Sequence, residues 1–119
     1  MRVLLCGVRG SMPAPGIDFH RVGGHTSCLA VEAPGDRMLV LDAGTGFTRL
    51  ATELAGRALR GSVLLTHLHW DHWQGLPFLP NADRDDAEVS LLLPRQGDAS
   101  ASDVLADARP GVAADAIVA

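Results

Sequence analysis

Three histidines and an aspartate fall within six consecutive positions, at His67, His69, Asp71 and His72. Imidazole and carboxylate together are the donors that zinc, manganese and iron favour. His67 and His69 stand two apart after an apolar run, VLLT. In an extended chain residues two apart share a face, so both can reach one ion. Asp71 and His72 are adjacent, where the chain turns, and a turn re-aims them toward a second ion a few ångströms away. The competing reading is a solvated turn that gathers polar residues. VLLT on one side and LPFL on the other argue against it, because solvation alone does not place three histidines between apolar segments.

The elements that must position this cluster follow from patterning. RVLLCGV at 2–8, TSCLAVEA at 26–33 and RMLVLDA at 37–43 read as strands, the last two joined as a hairpin through Pro34-Gly35-Asp36. Residues 9–25 hold four glycines and two prolines and read as a long loop. FTRLATELAGRAL at 47–59 has helical spacing, with Gly56 a weak point. VLLT at 63–66 is a short buried strand that runs into the cluster, and VSLLL at 89–93 is another. Any helix in WQGLPFLP is brief because of its prolines. Ser102 is placed to cap a short helix through Ala108, ended by Pro110-Gly111. The order implies a layered α/β or α+β core over residues 1–95, followed by an Ala/Asp-rich tail at 96–119.

The chain has 119 residues, is 47% hydrophobic and carries a net charge of −4. That suits one domain or part of one and argues against disorder. The charge offers no footprint for nucleic acid or an anionic membrane. The N-terminal apolar run is too short for a signal peptide or a membrane span, so a cytoplasmic protein is the default expectation. Cys6 and Cys28, the two cysteines, lie in apolar stretches and read as a reduced, buried pair.

HLHWDH matches the H-x-H-x-D-H signature of the metallo-β-lactamase-fold hydrolases. GVRGS at 7–11, GGHTSC at 23–28, DAGTG at 42–46 and THLHWDHWQGLPF at 66–78 occur in the order of the phosphodiesterase and ribonuclease Z branch. The chain therefore resembles the N-terminal half of that family's αββα sandwich over residues 1–95. The resemblance implies two zinc ions, with manganese or iron as substitutes. His67 and His69 would hold the first ion, and Asp71 and His72 the second, with Asp71 counted as catalytic. Asp42 would orient a histidine from beneath; as a plain strand-end residue it would be a turn former. The implied reaction is hydrolysis of a small phosphodiester, such as a cyclic phosphate, by a metal-bound hydroxide. A lactone or thioester substrate fits the same scheme.

Other residues near the motifs read more plainly. Trp70 and Trp73 are expected to pack around the ligands and screen them from water. Arg9 and Ser11 read as loop surface, His20 and His25 as loop histidines, and Asp83-Arg84-Asp85-Asp86 as a solvated loop. Gly44 and Gly46 serve either close backbone approach or simple turn chemistry.

The family completes its site with two further histidines and a bridging aspartate, whereas this chain has no histidine after His72. Four donors shared between two ions leave two apiece, and a zinc site normally takes three or four. The chain alone is expected to bind metal weakly or to hold one ion. A truncated, catalytically incomplete fragment is thus the alternative to an enzyme. Its partner would be a second copy of the chain or a missing C-terminal half.

Overall fold

The computed structural model describes residues 1–108; the expected stop at Pro110-Gly111 and the rest of the tail lie outside them. Five strands form one mixed sheet in chain order: β1 (Arg2–Gly7), β2 (Cys28–Ala33), β3 (Arg37–Leu41), β4 (Arg60–Leu64) and β5 (Glu88–Leu92). β1, β2 and β3 pair antiparallel, while β3, β4 and β5 pair parallel. Helix α1 (Phe47–Leu54) makes the crossover between β3 and β4, and α2 (Ala101–Ala108) follows β5. The protein is a mixed α/β fold, in line with the α+β expectation.

Alternation sorts the strands into two faces. Leu4, Ala30, Val40, Val63 and Leu91 are register partners across all five strands. The last four are buried and Leu4 packs against them, so this row forms the floor of the core. α1 lies over it with Phe47, Leu50 and Leu54 buried on one helical face. Each such buried side chain contributes roughly 1.5–3 kcal/mol. Cys6 and Cys28 are buried and unbridged. The neighbouring Cys28 thiol holds Cys6 below its ordinary value, whereas Cys6 and burial push Cys28 up.

The helix is shorter than its pattern, ending at Leu54 rather than near Leu59. Ala55 is left-handed at φ 49 and Gly56 follows at φ 80. Two consecutive left-handed residues stop a helix, so Gly56 acts as a terminator. Beyond it an irregular segment leads to Leu59, which is buried and donates its amide to the Asn81 carbonyl (2.9 Å). β4 accordingly begins at Arg60, three residues before the VLLT run. In and after WQGLPFLP the helix is indeed brief, two 3-10 turns at Leu76–Phe78 and Pro80–Ala82; a third, at Trp70–His72, lies within the histidine cluster itself.

Candidate metal centre

The cluster sits beyond the carboxyl ends of the adjacent parallel strands β3 and β4. In open α/β sheets this is where ligands bind. β3 ends at Leu41 and delivers Asp42; β4 ends at Leu64 and delivers Thr66 and His67. The 3-10 turn at Trp70–His72 then brings the chain back. Its effect is to gather the imidazoles. The His67 ring lies 4.5 Å from His69 and 3.9 Å from His72, centroid to centroid. Asp71 is buried, and its Oδ2 lies 3.4 Å from His72 Nε2. The four expected donors therefore share one small region.

Asp42 is the hub beneath them. Its Oδ1 accepts the Thr66 amide and the Thr66 hydroxyl, both at 2.8 Å. Its Oδ2 accepts the Ser27 hydroxyl at 3.1 Å and His72 Nδ1–H at 2.8 Å. Burial pushes the Asp42 carboxyl up, but the Thr66 amide, His72 and the Thr66 hydroxyl outweigh it and hold it below the usual carboxylate range. The hydroxyl proton of Thr66 is committed to Asp42. Its oxygen then accepts from His67 Nδ1, 3.0 Å away. One ionised carboxylate thereby fixes two histidines in the same tautomer, each with a free Nε2 lone pair. Such outer hydrogen bonds are how metal-binding histidines are oriented. Asp42 itself is left-handed at φ 61. It is a turn former and an orienting group at once, so the two readings of this residue are not alternatives.

Asp71 has its own anchor. The backbone N–H of Ser11 donates to its Oδ2 at 2.8 Å. Ser11 is exposed as a side chain, as expected of loop surface, yet its left-handed backbone (φ 66) aims the amide into the site. Patterning gives no signal for a main-chain donor of this kind. Thr66 and Ser27 were also missed. A hydroxyl residue immediately before the first histidine was the available hint.

The tryptophans divide their expected role. Trp73 is buried and donates Nε1–H to the Leu68 carbonyl, whereas Trp70 is 58% exposed, edge-on to Trp73 at 4.5 Å. Arg9 lies over the Phe19 ring at 4.7 Å, and His25 Nδ1 stands 3.3 Å from the Thr45 hydroxyl. Both loop residues have partners of their own.

The backbone of DAGTG is sewn to the histidine turn. Ala43 donates to the His72 carbonyl (2.7 Å), Gly75 to Ala43 (2.8 Å) and Gly44 to Ser27 (2.8 Å). Gly44 does not have a positive φ, so turn chemistry does not require it. A Cβ there would collide with the Asp71 carbonyl and the Thr26 hydroxyl oxygen. Close approach is the reason for this glycine. Gly44→Ala should cost about 2–4 kcal/mol, because two backbone segments must part. Urea unfolding checks this; an unchanged midpoint would mean the contact relaxes freely.

The donors fit a divalent ion in kind, being neutral imidazole nitrogens and a carboxylate. They do not fit in number. Among the described residues, no group of three His, Cys, Asp or Glu side chains is arranged to hold a metal ion. No family model, curated protein or solved structure matches the chain. The resemblance to a family rests on the quoted motifs alone. No helix among the described residues is long and apolar enough to cross a membrane.

Proposed function

We propose that the chain carries the first half of a metal-dependent hydrolase centre of the metallo-β-lactamase type, directed at small phosphodiesters. The observation that carries this reading is the Asp42 hub. It orients His67 through Thr66 and His72 directly, and leaves both Nε2 atoms free among the gathered rings. A solvated turn has no use for such an arrangement.

In a completed centre His67 and His69 would contribute to holding one divalent ion, and Asp71 and His72 to holding another. Bound there, zinc supplies Lewis acidity toward water and toward a phosphoryl oxygen. The chain's residues supply orientation. Asp42 keeps a proton on His72 Nδ1, and Thr66 does the same for His67. The Ser11 amide holds one oxygen of Asp71. The choice of a phosphodiester over a lactone or thioester rests on the GVRGS, GGHTSC and DAGTG segments. A panel of the three substrate types separates them.

A second reading, a metal-binding chain without turnover, is favoured by the lack of a three-donor group among the described residues. Zinc titration of the full chain, followed by assay with a chromogenic phosphodiester, decides between them. Chelator-sensitive turnover supports the hydrolase. Less than one ion per chain with no turnover rejects it for this chain standing alone.

A further inference from the structure

Cys6 and Cys28 take no part in the centre described above, yet the strand register sets them against each other. From Arg2↔Glu32 to Leu5↔Leu29 each pair of β1 and β2 advances by one residue, and the next pair is Gly7↔Cys28. The slip is a bulge: Cys6 and Gly7 on β1 together oppose Cys28 on β2. Gly7 has no side chain to offer, and a Cβ there would strike the Thr26 carbonyl. The Cys6 side chain is therefore the one that meets Cys28. Both belong to the core face, two residues along from Leu4 and Ala30, and are 3% and 0% exposed. Opposed residues of antiparallel strands stand about 4.5–5.5 Å apart at Cα, within the roughly 4.4–6.8 Å that a disulfide spans. Both thiols are free, and the chain has no other cysteine.

We propose that Cys6 and Cys28 are a redox pair that closes to an intrachain disulfide by exchange with a small disulfide, such as oxidised glutathione, and reopens with the corresponding thiol. The first step belongs to Cys6. β1 is the edge strand and Cys6 is its penultimate residue, beside the bulge, so local opening of the strand end reaches it first. Cys28 lies on the interior strand β2. The neighbouring Cys28 thiol, with a smaller push from Arg49, outweighs burial and holds Cys6 below its ordinary value, which raises its thiolate fraction. Cys28, pushed up by Cys6 and by burial, keeps its proton.

The Cys6 thiolate attacks one sulfur of the small disulfide, forming a mixed disulfide, and the first thiolate released takes the Cys6 proton. Cys28 then attacks the Cys6 sulfur. Its proton goes to the second departing thiolate, and the protein bond closes. The two protein thiols lose two electrons and two protons; the small disulfide gains them and leaves as two thiols.

The bond would form directly under the loop that follows β3. A Cβ on Gly46 would lie 2.9 Å from the Cys28 Cβ and 2.8 Å from the Cys6 carbonyl carbon. Ser27, the residue before Cys28, donates its hydroxyl to Asp42 and accepts the Gly44 amide at its carbonyl. Closing the pair thus ties the edge strand to the segment that carries the Ser27 contact. The exchange needs no metal and is independent of the metal reading above.

The test places the full chain, with chelator present, in glutathione buffers from reducing to oxidising. Samples are quenched in acid, alkylated in denaturant and weighed by mass spectrometry. In the oxidising buffer the wild-type chain should lose two hydrogens, take up no alkylating agent and run as a monomer on a non-reducing gel. Reduced glutathione should restore both alkylatable thiols. Cys28→Ala should stop at one glutathione per chain, on Cys6. Cys6→Ala should take up none while folded, because Cys28 stays buried on the interior strand. The wild-type measurement requires neither variant to fold. A wild-type chain that keeps both thiols in the oxidising buffer, forms the bond only in urea, or links chain to chain would overturn the pair. Glutathione on Cys28 in Cys6→Ala, with none on Cys6 in Cys28→Ala, would overturn the order of attack.

Discussion

Replacing His69 with alanine should lower zinc affinity by at least about 100-fold while the fold stays intact. Removing a mere outer partner of a metal ligand costs roughly 10–100-fold, and a direct ligand costs more. His69 is exposed in the middle of the histidine run, and its ring contact is with His67 alone among the described aromatic pairs. Its loss therefore opens no cavity in the core. Zinc titration read beside thermal unfolding separates the two effects. Unchanged zinc stoichiometry and affinity in His69→Ala would show the ligand assignment to be wrong. A large loss of stability would instead mark His69 as a structural residue.

Asp42→Ala should be the most destabilising single change at the centre, at about 3–5 kcal/mol. It strands the Thr66 amide, the Thr66 and Ser27 hydroxyls and His72 Nδ1–H, all of which converge on this carboxylate. It also places alanine at a φ of 61, a conformation that costs an L side chain roughly 1–2 kcal/mol. Asp42→Asn keeps one acceptor oxygen and a side chain that tolerates the left-handed region, so it should cost only about 1–2 kcal/mol. Its zinc affinity should nevertheless fall by roughly 10–100-fold, because the amide holds the histidine tautomers less firmly. Against a typical domain stability of about 5–15 kcal/mol, urea melts resolve these steps easily. Equal stability of Asp42→Ala and the wild type would contradict the hub.

Strands were legible where alternation was unambiguous: RVLLCG, CLAVEA, RMLVL and EVSLL all fall where patterning puts them. The helix overran because Leu59, buried at the right spacing, is reached by an irregular segment and held through Asn81. Periodicity registers burial, not the path that achieves it. The site shows the same division. His67, His69, Asp71 and His72 announced themselves by type and spacing, and their gathering follows from one short turn. The hydroxyls of Thr66 and Ser27 and the amide of Ser11 did not, since such groups are common in loops and acquire meaning only from direction.

The change of pairing direction at β3 has a consequence for how the centre comes into being. β1, β2 and β3 include a tight hairpin, and the β2–β3 contacts lie close in sequence. β4 and β5 join by long crossovers, and such distant pairings pay loop-closure entropy before they return contact energy. That order places Asp42 early, at the end of the local β2–β3 hairpin and on a left-handed residue. Thr66, His67 and His72 arrive with the slower parallel strand and find their acceptor waiting. In this chain the orienting carboxylate is older, on the folding clock, than the side chains it orients.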